Sequence, residues 1–468
     1  MVLKGFDADT IAAISTPVGE GGIGVIRISG SEAIPIADRI FESKKGIPVS
    51  DQKSFTAQYG HVIFKELSGR KEVIDEALLL VMRAPKSFTR EDVVEISAHG
   101  GTATLQAILR LALKSGARPA EKGEFTKRAF LNGRIDLIQA EAVMDLVKAK
   151  TELGRQWAAA QLEGGLSEKI RNFKQELLAV LSHLEASIDF PEDFPDTDSI
   201  SELGRRLGNL SQGLKRLISN AAFGILAKNG LRVVIAGRPN VGKSSLMNQL
   251  AGANRVIVTP YPGTTRDVIE EEIEIQGFSV RVSDTAGIQE TTHPIEREGI
   301  ERTKTAVHES DLVLYVLDAN RPLAPEEEAL LADLRDKKKI VVVNKTDLPK
   351  KLDLSRLRKL VNGSPLIESS CVAENGTKAL EDEIVCFITN GKIDVSDEII
   401  VTSVRQKDLL EKAWQNIESA GTGCANGLSP ELIAVDVRAG LDYLGSLAGE
   451  VLTDDILEVL FSQFCIGK

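Results

Sequence analysis

Cysteine is scarce in this chain. Its 468 residues include only Cys371, Cys386, Cys424 and Cys465. No two of them form a CxxC pair, and they are too sparse for a disulfide framework. Histidine is equally thin, with five scattered residues. None stands at zinc-ligand spacing to another His or Cys, so no transition-metal site is expected. No apolar run approaches the ~18 residues that a membrane span needs. The first ten residues, MVLKGFDADT, lack the basic-then-apolar order of a secretory signal. The expectation is a cytoplasmic protein with no membrane partner. Positive charge is also in deficit, the formal net charge being −11. That argues against a chain that coats nucleic acid by neutralising phosphates, though it leaves room for a local basic patch. Internal repeats and low-complexity segments are absent.

What remains is globular. Hydrophobic residues make up 43% and charged residues 27%, a balance that supports buried cores. At ~150 residues per domain the length predicts about three domains. Residues 1–133 read as α+β. Val25–Ile28, Leu78–Val81 and Val93–Ile96 have strand composition, and Thr102–Lys114 reads as a helix ending at Gly116. Residues 134–221 read as helical. Leu166, Ile170, Phe173, Leu177, Leu181, Leu184 and Ile188 recur every three or four positions, which makes one apolar stripe. The stripe stops at DFPEDFPDTD, Asp189–Asp198, read as a solvated acidic loop. Residues 222–390 alternate strands and helices, as a parallel sheet covered on both faces requires. Helices return over residues 391–468, with a stripe through Leu409, Leu410, Ala413 and Ile417. Thr453 is the expected N-cap of a last helix bearing Ile456, Leu457, Leu460, Phe461 and Phe464. The simplest architecture is multidomain, α+β plus α/β, with a helical domain into which the α/β domain is inserted.

The α/β region carries the chemistry. Leu231–Ala236 reads as a buried strand leading into GRPNVGKSS, Gly237–Ser245, and a helix follows. Strand, glycine loop and helix together make GxxxxGK[ST] a phosphate cradle. Asn240, Val241, Gly242, Lys243, Ser244 and Ser245 are the expected phosphate contacts. Backbone N–H groups and a helix N-terminus face the anion, Lys243 reaches the β- and γ-phosphates, and Ser244 offers its hydroxyl to Mg²⁺. Asp284, Thr285, Ala286 and Gly287 (DTAG) follow a strand-like run. There a carboxylate can hold the Mg²⁺ shell and a glycine amide can sense the γ-phosphate. Asn344, Lys345 and Asp347 form NKxD at the end of the strand Ile340–Val343. An ionised Asp accepts from the two N–H groups on guanine's edge, which adenine does not offer, so a site built this way rejects adenine. Ser370 and Cys371 occupy the place of the last guanine-contacting loop. Between P-loop and DTAG, Gly263 is followed by Thr264, Thr265, Arg266 and Asp267. Thr265 is the expected switch threonine completing the Mg²⁺ shell. The residue after DTAG is Ile288, which cannot orient water as a glutamine would. Glu290 and Glu296 are the nearby carboxylates. The glycine-rich segment Gly19–Gly30, GEGGIGVIRISG, is not a dinucleotide fingerprint, because a strand rather than a helix follows its glycines.

Several segments together carry a resemblance over nearly the full length. They are GGIGVIRISG, EFTKRAFLNGRIDLIQAEAV (Glu124–Val143), IDFPEDF, GRPNVGKSS, PGTTRD, DTAG with IEREGIERT, and the terminal FCIGK, Phe464–Lys468. The chain resembles the bacterial tRNA-modification GTPase family MnmE, also called TrmE. The resemblance implies an N-terminal α+β domain that dimerises and binds a 5-formyl- or 5,10-methylene-tetrahydrofolate. It implies a discontinuous helical domain interrupted by a Ras-like P-loop GTPase domain. It also implies a K⁺-dependent GTPase cycle in a homodimer. With the flavoprotein MnmG, the family adds a carboxymethylaminomethyl or aminomethyl group to C5 of the wobble uridine of certain tRNAs.

Position by position, Asn240, Thr259, Tyr261 and Thr264 match K⁺ ligands, with Thr259, Thr264 and Thr265 also against the nucleotide. Glu296 matches the glutamate that orients the attacking water. Arg27, Glu95, Arg134 and Lys468 match folate contacts. Two departures stand out: Ser370-Cys371 where Ser-Ala is usual, and Arg134 where Lys is usual, which keeps the charge but changes its shape. Cys465 matches a near-terminal cysteine for which a reactive role and simple burial are equal readings, and the terminal Lys468 is not a usual prenylation ending. The rival reading is a GTP switch gating a ribosome-assembly or other RNA partner. A membrane-polymerising, dynamin-like protein would need a lipid-inserting segment, which the sequence lacks.

Overall fold

The structure is a computed structural model. It describes residues 9–17, 19–65, 70–190, 197–254, 270–284, 306–373, 375–389, 391, 399–451 and 454–468. The expected N-cap Thr453 lies outside them. The described chain divides into two compact units. One comprises Met1–Met144, Leu162–Leu178 and Leu441–Lys468, and the other Asp145–Gln161 and Ala179–Gly440.

The first unit opens with β1 (Ile11–Ile14), β2 (Gly21–Ser29), α1 (Ala33–Ile40), β3 (Phe41–Ser43), β4 (Thr56–Lys65), β5 (Lys71–Met82), β6 (Val93–Gly100), α2 (Thr102–Lys114) and β7 (Arg118–Pro119). The seven strands form one sheet in the order β3-β4-β5-β6-β2-β1-β7. Pairing is antiparallel except for β1 with β7. Alternation decides the faces. Ile26, Ile28, Leu79, Val81, Val94 and Ile96 point to one side, where α1 and α2 cover them with Ile36, Ile40, Ile108 and Ala112. Arg27 and Glu95, opposite each other in register, point to the other side. The glycine-rich segment is strand β2, as expected.

Four helices follow: α3 (Glu124–Leu131), α4 (Leu137–Lys148), α5 (Glu152–Leu162) and α6 (Gly165–Asp189). α3 is held by charge rather than by apolar contact alone. Arg128 and Glu124, both 1% exposed, pair at 3.0 Å. Arg128 also pairs with Asp9 at 2.7 Å and Glu91 at 3.0 Å, and Arg118 donates to Glu124 at 2.5 Å. Burial works to raise the Glu124 carboxyl, but the Arg118 and Arg128 guanidiniums and the Glu121 N–H outweigh it and hold it low. Its contribution to stability is therefore full above the ordinary glutamate value of 4.5 and is lost as pH falls through the lowered one. Removing one partner from a buried pair costs about 3 kcal/mol. Arg128→Ala should accordingly lower the unfolding free energy by that order, read by chemical denaturation. A loss below ~0.5 kcal/mol, the size of a neutral surface change, would show the network to be idle.

The second unit holds α7 (Thr197–Asn229), then β8 (Leu231–Ala236), α8 (Lys243–Asn254), β9 (Glu270–Ile275), β10 (Phe278–Asp284), β11 (Leu312–Asp318), α9 (Pro325–Asp333), β12 (Lys339–Asn344), α10 (Leu354–Leu360), β13 (Leu366–Glu368) and α11 (Lys378–Thr389). The helices α12 (Val404–Ala425), α13 (Pro430–Ala448) and α14 (Asp454–Ser462) complete the chain. The sheet order is β13-β12-β11-β8-β10-β9. All neighbours are parallel except β9 with β10. Its central strands are apolar at nearly every position because both faces are covered. Val233, Ile235, Val280, Leu314 and Val342 enter one core, and Val234, Val313, Tyr315, Val341 and Val343 the other. The long helix α7 buries Leu203, Leu207, Leu210, Leu214 and Leu217 at helical spacing and packs along α12, which buries Leu410, Ala413, Ile417 and Ala420.

Candidate nucleotide site

β8 lies where the strand order reverses, with β10 on one side and β11 on the other. In an open parallel sheet, ligands bind outside the carboxyl ends of the strands at such a switch point. The loop after β8 is Gly237–Gly242, and α8 begins at Lys243. Its geometry is what the residue types require. Gly242 has φ +99°, and a Cβ there would lie 2.3 Å from Asn344 Nδ2. Asn240 has left-handed backbone at φ +65° and is exposed. The Lys243 ammonium donates to the Gly237 and Arg238 carbonyls, both at 3.0 Å, and the residue is only 5% exposed. The loop therefore curls around a buried cation at a helix N-terminus, an arrangement suited to anionic phosphate.

The carboxyl ends of β11 and β12 meet this loop, with Asp318 opposite Asn344 in register. Asn344 Nδ2 donates to the Val241 carbonyl at 3.0 Å. Lys345 Nζ donates to the Asn240 carbonyl at 2.6 Å and to Asp318 Oδ2 at 2.8 Å. Burial works to raise the Asp318 carboxyl, but Lys345 and the Asn320 N–H outweigh it and keep it low, so it stays ionised. Ser370 Oγ donates to Asp347 Oδ1 at 2.6 Å, and Cys371 Sγ lies 3.4 Å from Asn344 Oδ1. P-loop, NKTD and the Ser-Cys loop thus converge. No sequence motif marks Asp318: the only local sign is a lone carboxylate ending the otherwise apolar strand β11, and its pairing with Asn344 appears only when the two strands lie side by side.

Among the described residues no group of three or more His, Cys, Asp or Glu side chains could cage a metal. Mg²⁺ needs no such cage, since it binds through one or two protein oxygens plus phosphates and waters. Ser244, the expected Mg²⁺ ligand, lies in the first turn of α8. The expected contacts Thr259, Tyr261, Thr264, Thr265, Thr285, Ala286, Gly287 and Glu296 lie outside the described residues. Of Asp284 only the backbone is described, at the end of β10 beside β8.

The expected folate residues lie in the first unit. Arg27 Nε donates to Glu95 Oε1 at 2.7 Å, and Arg27 Nη1 donates to the Gly467 carbonyl at 3.3 Å. The Arg27 guanidinium stands 5.5 Å from the centre of the Phe125 ring. The Phe125 N–H donates to the Lys468 carbonyl at 3.2 Å, so the C-terminal segment is tied beside the pair. Gly467 has φ +91°, and a Cβ on it would come within 2.5 Å of the Ile14 carbonyl; only glycine lets the tail approach this closely. Arg134 lies over the Phe88 ring at 4.7 Å and donates to the Phe88 carbonyl at 3.1 Å. Burial, reinforced by Arg90, lowers its pKa. Phe88 and Phe125 share one apolar cluster with Ile11, Ala13 and Ala120, so both arginines flank it. Cys465 is exposed.

Known proteins match the chain over nearly its whole length. A family profile described as GTP-binding protein TrmE N-terminus matches residues 10–134, and one described as MnmE helical domain matches residues 137–465. A Geobacillus kaustophilus protein named tRNA modification GTPase MnmE is 47% identical over 462 residues, covering 98% of this chain and 99% of its own. The protein of that name from Levilactobacillus brevis is 44% identical and covers 100% of both chains. A solved structure of the G domain of the T. maritima FeoB iron transporter is 29% identical, over 33% of this chain and 96% of its own, with a TM-score of 0.26. Matched from end to end by proteins this similar, the chain belongs to the MnmE (TrmE) family of tRNA modification GTPases.

Proposed function

We propose that this protein is a K⁺-activated GTPase that acts with the flavoprotein MnmG on tRNA. The product is a carboxymethylaminomethyl or aminomethyl group on C5 of the wobble uridine. The observation that carries the reading is the joining of two features in one chain: a P-loop hydrogen-bonded to an NKTD segment, and end-to-end similarity to proteins named for tRNA modification. The nucleotide half follows from the site. Lys243, Ser244 and Mg²⁺ would take the phosphates. Asp347 would take the guanine edge, with Ser370 and Asn344 around it.

Potassium enters through the exposed Asn240, whose left-handed backbone turns the loop at that point. Thr259, Tyr261 and Thr264 are the proposed companions. A cation beside the phosphates offsets the charge that develops as the γ-phosphoryl leaves, as an arginine finger does. Thr265 would complete the Mg²⁺ shell. Since Ile288 cannot position water, Glu296 is assigned that task. Glu296→Ala should keep GTP affinity and lower turnover by ~10²-fold or more. Unchanged turnover would move the role to Glu290.

The Arg27–Glu95 pair supports the folate half. Its donor set fits a tetrahydrofolate derivative: a carboxylate suits a heterocyclic N–H edge, and the guanidiniums of Arg27 and Arg134 suit glutamyl carboxylates. Lys468, the last residue of the tail, would add a third cation. The bound folate would supply a one-carbon unit. A homodimer is the proposed assembly. The test is nucleoside mass spectrometry of tRNA from a strain lacking this gene. Restoring the chain should restore the modified wobble uridine, and restoring Lys243→Ala should not. Equal levels with and without the gene would end the proposal.

A further inference from the structure

Asn344 ends β12 with its amide almost fully buried, at 1% exposure, and both of its ends are engaged by protein. Nδ2 donates to the Val241 carbonyl, which fixes which end is nitrogen. A Cβ on Gly242 would meet that same Nδ2, so the amide lies against the P-loop with no slack. Oδ1 faces the opposite way and needs a donor. The neighbouring hydroxyls are committed elsewhere. Ser370 Oγ donates to Asp347, Ser369 Oγ to the Gly376 carbonyl at 2.9 Å, and Thr346 Oγ1 to the Ser369 carbonyl at 3.0 Å. The group at Asn344 Oδ1 is the Cys371 thiol, with sulfur at 3.4 Å. Burial pushes the Cys371 thiol up in pKa, and Asp347 pushes the same way against the Asn344 contact. At neutral pH the sulfur therefore keeps the proton it donates.

We propose that Cys371 is a positioning residue of the guanine pocket, its S–H locking the Asn344 amide and tying the last guanine loop to the P-loop through one side chain. The link runs from the Cys371 thiol through Asn344 to the Val241 carbonyl, two residues before Lys243. Base-binding and phosphate-binding loops thereby share one hydrogen-bonded path. An S–H is a weak donor, but a buried acceptor left without any donor costs more than the bond itself returns. The inference rests on the guanine-site reading above.

The test uses the full chain and the dissociation rate of a fluorescent methylanthraniloyl-GDP. Cys371→Ala should raise that rate by about 5–10-fold. Cys371→Ser, which restores a donor, should stay within about twofold of the unsubstituted chain. In an Asn344→Ala background, with affinity read by equilibrium titration, adding Cys371→Ala should change nothing further, because the coupling passes through that amide. The methylanthraniloyl-ADP control separates the two levels of the claim. Equal binding of both nucleotides by the unsubstituted chain would overturn the guanine reading itself. With guanine preference intact, three results would overturn the role of Cys371: no change in Cys371→Ala, an equal loss in Cys371→Ala and Cys371→Ser, or a full additive loss in the Asn344→Ala background.

Discussion

Asp347→Asn should weaken GTP binding by on the order of 10³-fold and return much of that affinity to xanthosine triphosphate. The Asp347 carboxylate is an acceptor-only group. Ser370 Oγ donates to its Oδ1 and so sets its orientation. Guanine presents two N–H donors on the facing edge. An asparagine in the same place sets an NH₂ against one of those donors, and two donors cannot pair. Xanthine replaces the exocyclic amine with a carbonyl, which accepts from the new NH₂. The switch depends on the surroundings staying as they are. Lys345 and Asn344 are held by the P-loop carbonyls of Asn240 and Val241, and neither contact changes. Competition titration with the two nucleotides checks the prediction. Undiminished GTP affinity would mean that Asp347 does not read the base.

Lys243→Ala should lower GTP turnover by about 10²–10³-fold, the loss that follows removal of one preorganised charge from a phosphoryl-transfer site. The ammonium sits inside the loop, on the Gly237 and Arg238 carbonyls, where water is excluded and its charge counts for more. Lys243→Arg should fail nearly as badly. A planar fork cannot enter a bowl built around a compact ammonium. Single-turnover hydrolysis at saturating GTP would separate this loss from weaker binding. A rate within a few-fold of the unsubstituted protein would remove Lys243 from the chemistry.

Legibility in the sequence tracked the range of the interactions. β8 runs over Leu231–Ala236 and α2 over Thr102–Lys114, as read from sequence, because each is a continuous local pattern bounded by glycine. The Leu166–Ile188 stripe became α6 for the same reason. The P-loop was legible because its strand, loop and helix are consecutive. Contacts between distant segments were not. Arg27 meets the Gly467 carbonyl 440 positions away, and Arg128 meets Asp9 across 119. Read alone, Arg27 is a surface charge; resemblance, not periodicity, singled it out. Asp318 and the Cys371–Asn344 contact depend on parallel strands ending at one edge, which no local pattern encodes. Of the K⁺ and switch residues, which motif and resemblance single out, Asn240 lies in the described P-loop, while Thr259, Tyr261, Thr264 and Thr265 lie outside the described residues.

A guanine-specific, K⁺-activated hydrolase should discriminate both between bases and between monovalent cations. The most direct measurement is turnover of GTP and of ATP by the purified protein in matched KCl and NaCl. GTP should be hydrolysed in preference to ATP, and K⁺ should stimulate the reaction strongly over Na⁺. Equal, slow GTP turnover in both salts would contradict the cation site around Asn240, and equal use of ATP would contradict the guanine pocket on which the whole reading stands.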